Sequence, residues 1–261
     1  MGKGLLIVTL SFLAHNDEAV TIHFLTMDLS DSSPSFVPPS KGQIDYIDAL
    51  LKEKNPESSI KVYDIEEDFR ATKWHRKFRK SSYTPYALAR LFADKLPLPD
   101  KILYLDTDTF ILGDISPLYH TEIGDREFAA CYDQLGTFWI NKHYQNSGVL
   151  LLNMKKAKET DFFARCRDYL LRKHPILADQ DALNWTIKDK MFLPQIYNEQ
   201  KRIQEDTVIR HFSKTIRWLP IFHIVSVKPW DTEKVADWEK SNRYEPILEE
   251  YKKRIAAFEA L

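Results

Sequence analysis

Residues 101–119 read KILYLDTDTFILGDISPLY, an apolar run that ends abruptly in two carboxylates, Asp106 and Asp108. The segment KILYLD is apolar on both faces, which predicts a buried strand of a parallel sheet. Aspartate is a poor strand former and is costly to bury as an ion, so this pair needs a compensating partner. Hard oxygen ligands at the end of a strand suit Mg²⁺ or Mn²⁺. The alternative is that Asp106 caps the following turn while Asp108 faces solvent.

The sequence on either side of this segment alternates between strand and helix patterns. Strands are predicted at residues 19–29 and 126–133 and in SSIKVYDI, NSGVLLLNM, MFLPQIYN and TVIRHFS. Helices are predicted in QIDYIDALLKEK, TPYALARLFADKLP, KKAKETDFFARCRDYLLRK and ADQDALNWTIKDK, with a terminal helix at about 243–260. The alternation predicts an α/β fold with a mostly parallel mixed sheet flanked by helices. In such sheets ligands bind beyond the carboxyl ends of the strands, and no linker is visible, so we expect one domain over residues 1–261.

Composition and charge limit the kinds of partner. The chain has 261 residues, of which 44% are hydrophobic and 29% charged, which is ordinary for a globular protein. A net charge of -1 gives no general attraction for nucleic acid or an anionic membrane. Cys131 and Cys166 are too few for a disulfide framework and favour a reducing, cytoplasmic location.

The N-terminal segment MGKGLLIVTLSFLAHNDEA has two interpretations. Its apolar run over residues 5–14 is similar to the hydrophobic region of a secretory signal, but the single Lys3 is a weak basic flank. The run is too short to cross a bilayer. We therefore expect a buried helix that ends near His15. The terminal segment EEYKKRIAAFEAL is mixed in charge, so membrane contact is left open only through a lipid-linked acceptor.

Two known families share the carboxylate pair. LYLDTDT fits the hydrophobic-D-x-D-x-T motif of haloacid-dehalogenase-like phosphatases, in which the first Asp is a nucleophile. That family also needs a later Lys and a second acidic cluster, and neither GDISPL nor GDREFA continues correctly. Its motif usually stands near the start of the chain, whereas this one is central. The phosphatase interpretation is therefore the weaker one.

Five ordered motifs resemble those of glycosyltransferase family 8, which includes bacterial lipopolysaccharide galactosyl- and glucosyltransferases and glycogenin. They are KILYLDTDTFILGDISPLY, NSGVLLLNMKK, ADQDALN, IRHF and KPW, and the resemblance covers roughly residues 3–230. It implies a GT-A type fold and transfer of a hexose from UDP-glucose or UDP-galactose to a glycan or lipid-linked acceptor, with Mn²⁺ or Mg²⁺. Nucleic acid is not an expected partner.

The resemblance also implies a metal site. Asp106 and Asp108 would bind Mn²⁺ or Mg²⁺, and His211 in IRHF matches the metal-binding histidine of the family. One imidazole among oxygen ligands favours Mn²⁺ over Ca²⁺. A lone histidine on a strand is otherwise a core residue with satisfied hydrogen bonds. His223 in IFHIV competes for the role, although the residues around His211 match better.

Lys228 in KPW matches the family lysine that contacts the diphosphate. A fixed cation near the leaving group stabilises the negative charge that develops as the glycosidic bond breaks. Otherwise Lys228 is a surface lysine before a rigid Pro-Trp turn. Between His211 and Lys228 the chain carries an insertion that the galactosyltransferases lack, and Lys214 within it is an alternative phosphate contact.

Further residues match positions around the donor sugar. Gln180 would lie near the anomeric carbon and Asp179 would accept sugar hydroxyls, so these two are the candidate catalytic residues. Acidic residues in ADQDALN also suit a helix N-terminus, and both interpretations hold together. The remaining candidate substrate-binding residues, with Lys228, are Arg90, Asp133, Asn146 and Asp181.

The family retains anomeric configuration. A double displacement requires an ionisable nucleophile, and the neutral amide of Gln180 is a poor one. We therefore expect front-face attack, in which the departing β-phosphate oxygen assists deprotonation of the acceptor.

One departure from the family concerns the first strand. Relatives begin with a strand of the type I-x-F-x-x-D-D-N-Y that holds the uridine, whereas KGLLIVTLSF resembles the helix after it. We therefore expect weak donor binding and reduced stability, because neighbours of a lost strand keep unpaired backbone groups. A catalytically impaired relative that acts as a binding or partner subunit is the alternative function.

Overall fold

The computed structural model describes residues 1–74, 85–173, 175–217 and 223–261. Its α-helices are α1 Gly2–Leu13, α2 Lys41–Lys54, α3 Glu66–Ala71, α4 Ser116–Tyr119, α5 Gly136–Trp139, α6 Met154–Glu159, α7 Phe162–Arg172, α8 Ala178–Thr186, α9 Thr232–Trp238 and α10 Glu245–Glu259. The strands are β1 Thr21–Thr26, β2 Ser59–Asp64, β3 Lys101–Leu105, β4 Thr109–Ile111, β5 Phe128–Tyr132, β6 Gln145–Asn153, β7 Met191–Phe192, β8 Ile209–His211, β9 Thr215–Arg217 and β10 His223–Val225. 3₁₀ helices span Pro85–Lys95 and Gln195–Tyr197.

The central sheet is mixed, as the sequence predicts. Its order is β3-β6-β5-β7, in which β6 is antiparallel to both neighbours and β5 is parallel to β7. Three strands therefore run in one direction and β6 runs against them. A separate parallel pair joins β1 to β2. Almost the whole of β6 is buried, in agreement with its continuous apolar run. The predicted α/β class is confirmed.

Two registers bring distant parts of the sequence to the end of β3. The antiparallel β3/β6 pairing sets Leu105 opposite Val149, and the next backbone bond runs from Asp106 N–H to the Gly148 carbonyl. The antiparallel β4/β8 pairing sets Thr109 opposite His211. The segment between β3 and β4 is the D-x-D motif itself. Asp106 and Asp108 therefore lie between the glycine of NSG and the histidine of IRHF.

The helix α1 is a buried element, as expected for residues 5–14. Leu6 and Ile7 are completely buried, and the Ser11 hydroxyl accepts a hydrogen bond from the backbone of Ile111 in β4. This contact fastens α1 along the strand that follows the D-x-D motif. Within the described ranges, no helix has the length and apolar character needed to span a bilayer.

Some predicted helices have a different form in the structure. The run KKAKETDFFARCRDYLLRK forms two helices, α6 and α7, because Asp161 between them has a left-handed φ of 51°. The run TPYALARLFADKLP is a 3₁₀ helix over Pro85–Lys95, and its predicted first residue, Thr84, lies outside the described residues. The predicted helix QIDYIDALLKEK is present as α2, but it begins two residues earlier, at Lys41, because Ser40 and Gln43 form a capping box.

The insertion between His211 and Lys228 contains an antiparallel hairpin. Strand β9 pairs with β10, so that Thr215 lies opposite Val225 and Arg217 opposite His223. The chain therefore enters and leaves the hairpin at neighbouring positions, Thr215 and Val225. The insertion lengthens the sequence between the two candidate site residues without separating them in space.

Candidate metal and donor site

The two aspartates of the D-x-D motif converge with His211. One ligand atom from each residue lies within 4.8 Å of the other two. His211 Nε2 is 3.4 Å from Asp108 Oδ1 and 3.8 Å from Asp106 Oδ2. The imidazole is buried, whereas the side chain of Asp106 is 24% exposed and that of Asp108 is 17% exposed. The group is therefore open to solvent on the carboxylate side and closed on the histidine side.

Gly148 provides the space that the His211 ring occupies. A Cβ atom at this position would lie 2.2 Å from His211 Cε1 and 2.6 Å from Nδ1, much closer than an ordinary contact of 3.4–4 Å. The glycine of NSG therefore allows the imidazole to pack against the backbone of β6. Any larger residue would force the ring out of its present position beside the aspartates.

Each aspartate uses its other oxygen for a protein contact. Asp106 Oδ1 accepts hydrogen bonds of 2.7 Å from Arg90 Nη2 and from the Tyr104 hydroxyl. Burial raises the pKa of Tyr104 well above its usual value, so this hydroxyl keeps its proton and donates. Asp108 Oδ2 lies 2.5 Å from Lys228 Nζ. One oxygen of each carboxylate is thus left facing His211.

The charge balance at Asp108 favours its ionised form. Burial by itself would raise the pKa of Asp108, but the hydrogen bond and charge of His211, together with Lys228, outweigh burial and hold the pKa well below its usual value. A carboxylate that is ionised at neutral pH is the form that binds a metal ion.

Arg90 joins the D-x-D motif to the acidic end of ADQDALN. It is 3% exposed, and its Nε lies 3.2 Å from Asp179 Oδ2 while Nη2 bonds to Asp106. Arg90 also donates hydrogen bonds to the Ser147 and Ala87 carbonyls, and the guanidinium lies 4.4 Å from the centre of the Tyr104 ring. Burial raises the pKa of Asp179 to about 6, with Arg90 opposing and Asp106 adding to this effect. Arg90 therefore holds two carboxylates at a fixed spacing.

The predicted donor-sugar residues form a second cluster beside this bridge. Gln180 Oε1 accepts from the Ser147 backbone at 3.0 Å, and its Nε2 donates to Asp133 Oδ2 at 3.2 Å. Asn146 Nδ2 donates to the same Asp133 oxygen at 2.7 Å. Gln180 is half-buried, whereas Asn146 and Asp133 are buried. The amide of Gln180 is therefore held at both ends on the accessible side of the cluster.

Asp181 has a different environment from its neighbours in ADQDALN. Its Oδ1 accepts from the Tyr144 hydroxyl at 2.5 Å and its Oδ2 from the Leu177 backbone at 2.9 Å. Both oxygens therefore have protein partners at the start of α8. This arrangement fits the role of an acidic residue at a helix N-terminus, which the sequence also allowed.

Two alternatives from the sequence concern the insertion. Lys214 is exposed, whereas Lys228 is half-buried and bonded to Asp108. The side chain of His223 lies outside the described residues. Among the described residues, the metal-ligand group therefore contains His211.

The donor set fits a small divalent cation. Two carboxylate oxygens and an unhindered imidazole nitrogen converge, and hard oxygen ligands with a single imidazole suit Mn²⁺ or Mg²⁺. Lys228 pairs with the other oxygen of Asp108. The chemistry of these residues is therefore that of a site that could hold a small divalent cation.

Four residues of the site were not identified from the sequence. Tyr104, Ser147 and Gly148 stand within the recognised motifs, and Asn198 is the last residue of the predicted strand MFLPQIYN. The signal for Gly148 was present, because a glycine inside a strand pattern indicates a close approach of another group. No local pattern distinguished Asn198, whose Oδ1 lies 3.1 Å from His211 Nδ1.

Comparison with known proteins identifies the family of the chain. The model of glycosyl transferase family 8 matches residues 7–234, so the chain belongs to this family. The family assignment decides between the two D-x-D interpretations in favour of the transferase.

Individual relatives agree with the assignment. The lipopolysaccharide glucosyltransferase WaaO of Escherichia coli K12 is 30% identical over 210 residues, which are 71% of this chain and 59% of the relative. The glycosyltransferase GlyE of Streptococcus pneumoniae serotype 4 is 29% identical over 170 residues, 60% of this chain and 40% of that protein. The chain thus spans about half the length of the curated relatives it matches.

Solved structures show the same fold. A crystal structure of GlyE aligns with a TM-score of 0.63 and 22% identity, covering 97% of this chain and 61% of that one. The galactosyltransferase LgtC, crystallised with donor and acceptor sugar analogues, aligns with a TM-score of 0.63 and 19% identity. The alignment covers 88% of this chain and 96% of LgtC. These similarities confirm the predicted GT-A type fold.

Proposed function

We propose that the chain is a metal-dependent, retaining hexosyltransferase that moves a hexose from UDP-glucose or UDP-galactose to a cell-surface glycan or glycoconjugate. The observation that carries this proposal is the convergence of Asp106, Asp108 and His211 beside Lys228. The names of the similar proteins support the substrate class, since they include a lipopolysaccharide glucosyltransferase and a galactosyltransferase bound to sugar analogues.

Asp106, Asp108 and His211 would hold Mn²⁺ or Mg²⁺, and the other residues would bind the donor. When bound, the ion would supply a Lewis acid that stabilises the negative charge of the departing UDP. Lys228 adds a fixed cation next to Asp108, and it can exchange this carboxylate for a phosphate oxygen when the donor enters. Its half-buried position favours an interaction that water screens only weakly.

Residues of the second cluster would orient the sugar. Arg90 fixes Asp179 close to Asp106, so a hydroxyl that bonds to Asp179 is positioned relative to the metal site. Gln180 is the candidate residue near the anomeric carbon. The similar galactosyltransferase LgtC also has been crystallised as an active-site mutant in which a glutamine is replaced by glutamate.

The hydrogen bonds of Gln180 support front-face attack. Its Oε1 already accepts from the backbone and hydroxyl of Ser147, and a neutral amide oxygen is a weak nucleophile. The residue is therefore better suited to orienting the sugar than to forming a glycosyl intermediate. A trapped covalent adduct on Gln180 would overturn this mechanism.

The test measures UDP release from UDP-glucose and UDP-galactose with Mn²⁺, with and without a chelator. We expect metal-dependent release, with water as a slow acceptor, that is lost in Asp108→Asn. Asp114→Asn is the matched control, because Asp114 is exposed and caps only the following turn. Metal-dependent UDP binding without turnover would assign the alternative function, a donor-binding partner subunit. Absence of both binding and turnover would refute the proposal.

A further inference from the structure

Asn198 is a buried amide in direct contact with the candidate metal ligand His211. It is 0% exposed and belongs to the segment after the short strand β7. Its Oδ1 lies 3.1 Å from His211 Nδ1, and its Nδ2 lies 2.9 Å from Asn146 Oδ1. The amide therefore connects the histidine to the cluster around the donor-sugar residues.

One backbone group determines the direction of every hydrogen bond in the series that links Gly148, Asn146, Asn198 and His211. The Gly148 N–H can only donate, and it bonds to Asn146 Oδ1 at 2.9 Å. Asn146 must then turn its NH₂ group to Asp133, whose Oδ2 accepts at 2.7 Å. Because the oxygen of Asn146 faces Asn198, Asn198 must present its NH₂ group there. The orientation of both amides is thus determined without reference to the histidine.

The same logic determines the tautomer of the imidazole. With its NH₂ group directed at Asn146, Asn198 presents its oxygen to His211, so Nδ1 must carry the proton. Nε2 then lies toward the oxygens of Asp108 and Asp106, at 3.4 Å and 3.8 Å, as the ring nitrogen that is left to coordinate a cation. A histidine that ligates a metal requires this kind of fixed outer partner.

We propose that Asn198 is a positioning residue that holds His211 as the Nδ1–H tautomer, with Nε2 available to a divalent cation. The part of this inference that concerns the cation rests on the proposed function. The part that concerns the tautomer does not. Gly148 contributes to this arrangement in two ways: the absence of a Cβ leaves space for the imidazole, and its N–H determines the orientation of the two amides.

The first experiment observes the tautomer directly in the metal-free protein. Histidine labelled with ¹⁵N is recorded in two-bond ¹⁵N–¹H correlation spectra, whose pattern shows which ring nitrogen carries a proton. The His211 signals are assigned by their absence in His211→Gln. We expect Nδ1 to carry a proton in the native chain and in Asn198→Asp, which keeps an acceptor, and a form with unprotonated Nδ1 to become populated in Asn198→Ala. A native chain with unprotonated Nδ1 would overturn the proposal.

The second experiment measures Mn²⁺ affinity from the electron paramagnetic resonance signal of the free ion. Asn198→Ala is expected to weaken binding about 10–100-fold, the usual effect of losing an outer partner of a ligand. The control Asn153→Ala also removes an amide with two hydrogen bonds, to Gly124 and Lys156, but should leave the Kd unchanged. Equal affinities of Asn198→Ala and the native chain would overturn the positioning role.

The two experiments separate this inference from the proposed function. If the native chain binds no Mn²⁺, the proposed function fails, while the tautomer is still decided by the spectra. In the His211→Ala background, Asn198→Ala should cause no further loss of Mn²⁺ affinity, because its effect acts through the imidazole. A further loss in that background would show that Asn198 acts by another route.

Discussion

Replacing Gly148 with alanine should displace His211 and thereby damage both stability and metal binding. The new Cβ would lie 2.2 Å from His211 Cε1, whereas ordinary contacts begin near 3.4 Å. The ring must therefore move by about 1 Å or more, and overpacking of this kind costs roughly 1–3 kcal/mol. Movement also strains the hydrogen bond to buried Asn198, and an unsatisfied buried group costs about 1–3 kcal/mol more.

The sum predicts a loss of roughly 2–6 kcal/mol in the free energy of unfolding. For a chain of this size that corresponds to a Tm decrease of about 4–24 °C, measured by calorimetry or circular dichroism. The control is Gly113→Ala, whose Cβ would meet Val208 at an ordinary 3.6 Å. Neither glycine has a positive φ, so backbone strain does not distinguish the two variants. We expect Gly113→Ala to change Tm by little.

A double variant identifies the cause of the loss. In the His211→Ala background the space is free, so Gly148→Ala should become nearly neutral, with a coupling energy about as large as the original cost. Mn²⁺ affinity of Gly148→Ala should approach that of His211→Ala. If Gly148→Ala is equally costly with and without the imidazole, the reasoning from the close approach is refuted.

Three further predictions concern charged residues of the site. The pKa of Asp179 is raised to about 6, so the folded chain holds a proton that the unfolded chain releases near pH 4. The free energy of unfolding should therefore fall by up to roughly 3 kcal/mol, relative to Asp179→Asn, as pH rises from about 4 to 6. Urea titrations of the metal-free protein measure this, and parallel pH profiles of the two proteins would contradict it. Arg90→Lys should destabilise the chain by about 3 kcal/mol, because an ammonium cannot bridge buried Asp179 and half-buried Asp106 in the geometry of the guanidinium. The exposed control Arg70→Lys should change Tm little, and similar Tm values for both variants would argue against the bridge. Lys228→Ala should weaken UDP binding about 10–100-fold, because a charge-assisted contact of roughly 1.5–3 kcal/mol is lost. Calorimetry with Mn²⁺ present measures the affinity, and an unchanged Kd would show that Lys228 does not contact the phosphates.

The local part of the site could be predicted from the sequence, because its signals are short in range. The apolar run before Asp106 predicts the buried strand, and the D-x-D spacing predicts carboxylates that turn toward one point as the strand ends. Both features depend on neighbouring residues alone. The structure has a strand there, β3, but its residues are half-buried and it pairs antiparallel with β6, so the prediction of a buried parallel strand was wrong in these two respects. The two carboxylates do turn toward one point, and the structure brings His211 to the same point.

The pairing that brings His211 there could not be predicted from periodicity. Strands β4 and β8 have three residues each, too few for an alternating pattern to set a register. Their positions depend on a contact about 100 residues apart in sequence, between Thr109 and His211. Only the resemblance to the family indicated that this histidine belongs to the site.

Asn198 was missed for a related reason. Its segment reads as the end of a strand, and a polar residue there is ordinarily a turn former. Its role depends on two side chains from other parts of the chain, His211 and Asn146, so no sequence window contains the signal. The break between α6 and α7 is similar, because one residue, Asp161, adopts a left-handed conformation within a pattern that is otherwise helical.

The β9/β10 hairpin allows the chain to change in length without changing the site. Because Thr215 pairs with Val225 and Arg217 with His223, the segment after His211 and the segment before Lys228 are joined by a backbone ladder. A change in length between the two strands can therefore leave His211 and Lys228 beside Asp108.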